Sequence, residues 1–186
     1  MYMTRLKFFV EGIRNIKTTG TITRSSRFVC RRLIKGIDFS TAKCIVELGG
    51  GDGVVTEHIL QNMGTDTILI TFEILPQFCD LLRSFNDDRL IIAQDSAENI
   101  QKHLLENGFE KADYIVSTLP FVNIPEDLGT RILHAAKDNL KTGGIFSQLN
   151  YTLLTKDLYE SIFGNVNFDF IMRNVPPAFI LTCVKK

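Results

Sequence analysis

The chain has 186 residues, 45% hydrophobic and 23% charged, which suits one globular domain with a full core. Formal net charge is zero, yet residues 1–36 hold nine Lys or Arg against the single acid Glu11, a local +8 offset by −8 over the remainder. No run approaches the ~20 apolar residues of a membrane span, and Glu11 and Arg14 break the apolar start with no small-residue cleavage site after it, so it does not read as a signal peptide.

Residues 3–17 read as an amphipathic helix. Leu6, Phe9, Val10, Ile13 and Ile16 share one face, Arg5, Lys7 and Arg14 flank it, and Lys17 falls on it near the end. Such a helix either lies in a membrane interface, with its cations near phosphates, or packs on the protein's own core. The basic arm as a whole suits an anionic partner, with RNA and an anionic membrane surface both candidates, unless it is only a solvated helical face. The polar loop Thr18–Ser26 follows, and Ser25 or Ser26 caps a helix running to Lys35. Thr19, Gly20, Ser25 and Ser26 are therefore either a loop with its cap or a lid over a ligand.

The next stretch, Cys44 to Gly53, is a β-branched run entering a glycine cluster, with an amphipathic helix leaving it. A strand, a tight turn and a helix N-terminus form the usual cradle for a phosphate or a nucleotide-like ligand. G-x-G-x-x-G does not fit, because the sixth position is Val54 counted from Gly49 and Thr56 counted from Gly51. E-x-G-x-G-x-G does fit, with Glu47, Gly49, Gly51 and Gly53. The plain alternative is a turn that packs helix on strand.

Strands are then expected at 43–48, 67–73, 89–93, 112–117 and 143–150, with helices at 53–63, 76–84, 97–107 and 126–140. That alternation implies a parallel sheet covered by helices on both faces. A helix at 155–163 precedes two strand-like runs, 166–173 and 178–184, joined through Val175-Pro176-Pro177. So short a link reads as an antiparallel hairpin. Cys30, Cys44, Cys79 and Cys183 form no C-x-x-C pair and have no histidine in ligand spacing, so a reduced cytosolic protein without a metal is expected. His58, His103 and His134 fall on helices and read as ordinary surface or boundary residues.

Ligands of open parallel sheets bind outside the carboxyl ends of the strands. Those ends are Glu47 with its glycines, Glu73, Gln94-Asp95-Ser96, and Ser117-Thr118-Leu119-Pro120-Phe121. Glu73 is placed to accept two ribose hydroxyls. Asp95 and Ser96 are placed to read an adenine amine, or simply to cap the next helix. In the fourth loop the carbonyls before Pro120 can face a substrate amine, and Phe121 can set a ring beside a cation or else cover the sheet edge.

Together these four strand ends resemble the class I S-adenosylmethionine-dependent methyltransferases, from about Lys43 onward. The resemblance implies a Rossmann-like, seven-stranded, mostly parallel sheet with one antiparallel strand. It implies a methyltransferase domain over 37–186 preceded by amphipathic and lid helices over 1–36. It also implies S-adenosyl-L-methionine as cofactor, held by Glu47, Gly49, Gly50, Gly51, Gly53, Glu73, Ile74, Asp95, Ser96 and Ser117. The ribosomal RNA adenine dimethylases share the Leu-Pro-Phe type of loop but carry an Asn where this chain has Thr118, which disfavours base methylation. The bacterial phospholipid N-methyltransferases look more similar, through the basic N-terminal helix, the Thr18–Ser26 loop, Val116–Pro120, and Arg173-Asn174-Val175-Pro176-Pro177-Ala178. Arg24, Thr118 and Asp52 depart from that family's usual Pro, Gly and Thr.

This resemblance implies methylation of the phosphatidylethanolamine amine by a peripheral protein at the cytoplasmic membrane face. Its partners would be an anionic membrane surface and a phospholipid, not nucleic acid. Ser117, Leu119 and Tyr151 would be the catalytic residues, and Phe121, Tyr151 and Arg173 would hold the substrate. An RNA, protein or other small-substrate methyltransferase and a non-catalytic cofactor-binding protein are the alternatives.

Overall fold

Alternation inside the apolar runs decides which layer each strand serves. In β1 (Cys44–Leu48), all five residues are buried. Cys44, Val46 and Leu48 join one core cluster and Ile45 joins the other, so one short strand supplies both faces. β2 (Ile68–Phe72) divides in the same way, with Ile70 and Phe72 on one face and Leu69 on the other. The computed structural model describes residues 26–186. The expected helix over 3–17 and the loop with Thr19, Gly20 and Ser25 lie outside them.

The chain runs α1 (Arg27–Leu33), β1, α2 (Val54–Leu60), β2, α3 (Pro76–Arg83), β3 (Leu90–Ala93), α4 (Ile100–Glu106), β4 (Ala112–Ser117), α5 (Glu126–Asp138), β5 (Leu140–Asn150), α6 (Lys156–Phe163), β6 (Asn167–Ile171) and β7 (Ala178–Val184). The sheet order is β3-β2-β1-β4-β5-β7-β6, and β7 alone runs against the others. This is the expected seven-stranded, mostly parallel sheet with one reversed strand. Residues of α4, α5 and α6 fill the cluster on one face, and those of α1 and α2 fill the other.

Ser26, of the two serines expected to cap α1, does so. Its backbone is extended and its hydroxyl accepts the Val29 N–H at 3.4 Å. The sequence pattern carries α5 to residue 140 and starts β5 at 143, but the helix stops at Asp138 and the strand begins at Leu140. Leu140 pairs with Ala112 ahead of an irregularity between Ala112 and Tyr114. Gly143 takes a left-handed φ of 78° there and donates to the Lys185 carbonyl at 2.8 Å, so the strand starts early around a bulge.

The carboxyl ends of β1 to β6 point one way. β7 is reversed, so its first residue also lies at that end, where Phe179 pairs with both Asn150 and Phe170. The glycine turn after β1 fits only without side chains. A Cβ on Gly50 would stand 2.4 Å from Thr71 Cγ2 and 2.7 Å from Leu82 Cδ1. Gly50→Ala is therefore expected to lose about 1–3 kcal/mol of stability through overpacking. Urea denaturation of the two proteins measures it, and an unchanged midpoint would show that the turn can shift freely.

Candidate functional site

Gly49 and Gly51 bend the chain after β1 through left-handed φ values of 86° and 53°, which L side chains rarely adopt. The N–H groups of Gly49 and Gly50 donate to the Phe72 carbonyl at 2.9 and 3.1 Å, so the turn is laid across the end of β2. Glu73 then grips it from that side. Its Oε2 accepts the Gly51 N–H at 2.8 Å and its Oε1 accepts the Leu75 N–H at 2.9 Å. Ile74 is half-buried against the core.

Glu47 sits beneath the turn and is completely buried. Its Oε2 accepts the hydroxyls of Thr56 at 2.7 Å and Thr71 at 2.8 Å, while Oε1 has no hydrogen-bond partner. Burial pushes its carboxyl up to about 7, against the two threonine hydrogen bonds, and the charges of Glu73 and Asp52 add to the rise. Asp52 and Glu47 also raise the Cys30 thiol, after burial, to about 11.

At the end of β3, Asp95 Oδ1 accepts the Ser96 N–H at 2.7 Å and the Asn99 amide at 2.9 Å. Its Oδ2 lies 3.0 Å from His103 Nε2, and the His103 ring meets Phe72 edge-on with centroids 5.2 Å apart. Burial raises the Asp95 carboxyl, but the hydrogen bonds from His103, Asn99 and the Ser96 N–H outweigh it and hold the group below its ordinary range. His103 is therefore a boundary residue tied to this strand end. Ser96 is the cap expected of it, accepting the Glu98 N–H at 3.3 Å.

The fourth loop is tied to the glycine turn. The Thr118 N–H donates to the Leu48 carbonyl at 3.0 Å and its hydroxyl to the Gly49 carbonyl at 2.6 Å. Ser117 is fully buried, and its hydroxyl accepts the Leu119 N–H at 3.3 Å. The Leu119 carbonyl, expected to face a substrate amine, already accepts from Gln148 Nε2 at 2.9 Å. Phe121 takes the covering role of the two expected of it. It is buried edge-on to Tyr159, with centroids 5.8 Å apart, and fills space left by Gly129 of α5, so it covers the sheet.

A third group closes the other side. The Ser26 N–H donates to Asn174 Oδ1 at 3.2 Å, the Ser26 hydroxyl to the Arg173 carbonyl at 3.3 Å, and Asn174 Nδ2 to the Pro176 carbonyl at 2.7 Å. Asn174 is buried, while Arg173 is exposed, its guanidinium carbon 5.4 Å from the centre of the Phe28 ring. Tyr151, just beyond β5, is exposed at the rim, yet burial raises its phenol, with hydrogen bonding to Asn174 acting the other way. The structure thus brings Tyr151 and Arg173 to one end of the sheet with the acids and the glycine turn. The sequence reading missed His103, Gln148 and the Asn174 latch. Asn174 stood inside a quoted motif, and Gln148 was legible as an amide inside an apolar strand.

No protein-family model matches the chain. An ornithine lipid N-methyltransferase from Singulisphaera acidiphila is 29% identical over 180 residues, covering 95% of this chain and 92% of that protein. Among solved structures, the 1,6-didemethyltoxoflavin-N1-methyltransferase of Burkholderia thailandensis, with 1,6-didemethyltoxoflavin and S-adenosylhomocysteine bound, superposes with a TM-score of 0.71. Identity there is 12%, over 100% of this chain and 89% of that one. An O-methyltransferase from Bacillus cereus in complex with S-adenosylhomocysteine gives a TM-score of 0.70 at 14% identity, over 95% and 90% of the two chains. The fold is that of the class I methyltransferases. N-methyltransferase NodS from Bradyrhizobium japonicum agrees at 0.67 and 11% identity, over 86% of each chain.

Glu47 makes stability depend on pH in a definite direction. A carboxyl that titrates at about 7 when folded, against an ordinary 4.5, binds more protons folded than unfolded between those values. Its contribution to stability therefore falls as pH rises through that window and is level above it. Glu47→Gln keeps an acceptor for Thr56 and Thr71 and cannot ionise, so its urea midpoint should fall less than the wild type's from pH 4.5 to 7. Parallel curves would show that Glu47 ionises in the fold without cost.

Proposed function

We propose that the chain transfers methyl groups from S-adenosylmethionine to the primary amine of a membrane lipid. The observation that carries this reading is the likeness to a lipid N-methyltransferase, running almost end to end on a class I methyltransferase fold.

The strand ends fit the cofactor. Each Glu73 oxygen accepts one backbone N–H and keeps a further lone pair for a ribose hydroxyl. Asp95, held ionised by His103 and Asn99, is the acceptor suited to an adenine amine. Gly50 and Gly53 leave no room for a Cβ against Thr71, Leu82 and Phe85, so the turn that would carry the cofactor is packed tightly on the protein beneath it. When bound, S-adenosylmethionine supplies an electrophilic methyl on a sulfonium. The chain's own work is to bind, orient and shield, so rate comes from positioning.

On the substrate side, Arg173 offers a planar fork to an anionic group and Tyr151 offers a ring and a hydroxyl to the amine. The ammonium must lose a proton before it attacks. His103 is tied to Asp95, with β2 and β1 between it and the Ser117–Phe121 loop, and Glu47 is buried, so water at the open strand ends takes the proton. Two headgroups suit this arrangement. Phosphatidylethanolamine, with its amine and phosphate, follows from the Thr18–Ser26, Val116–Pro120 and Arg173–Ala178 motifs. An ornithine headgroup, with an amine and a carboxylate, follows from the relative's activity. Base methylation is disfavoured, because Thr118 stands where an amide would be needed and its hydroxyl is committed to Gly49.

The deciding assay follows labelled methyl from S-adenosylmethionine into vesicles containing phosphatidylethanolamine or ornithine lipid, with the lipids separated afterwards. A labelled methylated lipid from either headgroup is expected. Absence of label in both, with cofactor binding confirmed by calorimetry, would overturn the lipid reading. Arg173→Ala should lower lipid turnover by about ten- to hundredfold, the worth of a charge-assisted hydrogen bond, and leave cofactor affinity unchanged. Equal loss of both would remove Arg173 from the headgroup site.

A further inference from the structure

Seven of the eleven large hydrophobics exposed among the described residues gather along one edge and one end of the sheet. Phe168 and Phe170 alternate along β6 and share a face, and exposed Met172 follows in the turn just past its end. Phe179 of β7 packs beside the two phenylalanines, with centroids 6.5 and 5.0 Å away. Lys156, at the start of α6, lies over Phe168 at 5.9 Å, and Asp169 turns to the other face to pair with Arg32. Exposed hydrophobics scattered singly need no explanation, but a contiguous group does.

Register joins this edge to the mouth of the site. Asn150 and Phe170 both pair with Phe179, so Tyr151 and the turn from Met172 to Pro177 leave the sheet at the same level. Ser26 is bonded to Arg173 and Asn174, which brings Phe28 to the same place. The tips are the most exposed of all: Leu154 at 85%, Val175 at 78% and Met172 at 76%. Residues 26–28, 151–156 and 172–177 contain Arg27, Lys156 and Arg173 and no acid, although Lys156 is also paired with Glu160 one turn along α6 at 3.9 Å.

We propose that this end and edge dock on an anionic bilayer. Leu154, Met172 and Val175 enter the interfacial zone, the aromatic face of β6 lies along it, and Arg27, Lys156 and Arg173 meet the phosphates. A second copy fits less well. A two-fold contact would set this patch against itself, cation to cation, with no acid in these segments to pair. The proposal rests on the lipid reading above, because it explains why apolar tips surround a headgroup site.

The chain contains no tryptophan, so a single one reports on its own position. In the full chain, Leu154→Trp and Met172→Trp should shift to the blue on adding phosphatidylcholine vesicles that contain phosphatidylglycerol, and lipids brominated near the carbonyl should quench them. Leu105→Trp, on an exposed site near the far end of α4, should do neither. The triple variant Leu154→Glu, Met172→Glu, Val175→Glu should need about tenfold more lipid for half-binding, with S-adenosylhomocysteine affinity unchanged. Tip tryptophans that stay unshifted, a triple variant that binds vesicles like wild type, or no vesicle binding at all would each overturn the surface. A tip shift that follows protein concentration without lipid would assign the patch to a second copy. The two readings fail separately. Docking by the tips without methylated lipid discards the substrate, whereas methylation of a short-chain amine lipid in solution with unmoved tips discards the surface alone.

Discussion

The carboxylate of Glu73 holds three segments in register, and the rest of the site is built outward from it. Its two oxygens take one N–H from the glycine turn and one from the start of α3, so the end of β2 fixes both the loop beside it and the helix after it. Without that grip, a turn of consecutive glycines would keep the conformational freedom that makes glycine costly to order. The Thr118 hydroxyl secures the same turn from the β4 side through the Gly49 carbonyl. Two neighbouring strand ends therefore clamp one loop, and neither clamp uses a metal or a disulfide.

Beneath this clamp the protein keeps a charge problem that it only half solves. Glu47 has two hydroxyl donors on one oxygen and none on the other, in a place with no access to water. A buried carboxyl satisfied on one side favours its protonated form, and a group titrating near 7 responds to any new cation above it. The rim at Tyr151 and Arg173 is built differently. Its cation, Arg173, stays exposed against Phe28, while the neutral amide of Asn174 takes the buried position and joins α1 to the β6–β7 turn. Acids sit around the glycine turn, and a cation and aromatic rings line the rim at the β6–β7 turn.

The layers were legible in the sequence because parallel strands buried on both faces must be nearly continuous apolar runs, and the helices between them keep their own period. The glycine spacing likewise requires backbone conformations that other residues resist, so Glu47, the turn and Glu73 could be placed by counting. Partners that meet only after folding were not legible. Phe121 follows a motif proline, but its burial depends on Gly129 and Tyr159, which come from two later helices. His103 lies eight residues beyond Asp95, and the 3₁₀ turn at Ala97–Asn99 rotates α4 so that the histidine faces back to its strand. β5 began earlier than its pattern suggested because a bulge broke the alternation on which the reading relied.

The reversed strand has a consequence for how the fold assembles. β7 comes after β6 in the chain but lies between β5 and β6, pairing with six residues of one and five of the other. Until β7 is in place, β6 has no neighbour in the sheet, and its two exposed phenylalanines sit on an unpaired strand. Such a segment is open to mispairing with other chains. Closure of this edge must therefore be concerted: the turn from Met172 to Pro177 brings the hairpin together, and β7 enters already carrying β6. The hairpin is the natural unit of late assembly, and the mouth that Arg173 borders is completed in the same event.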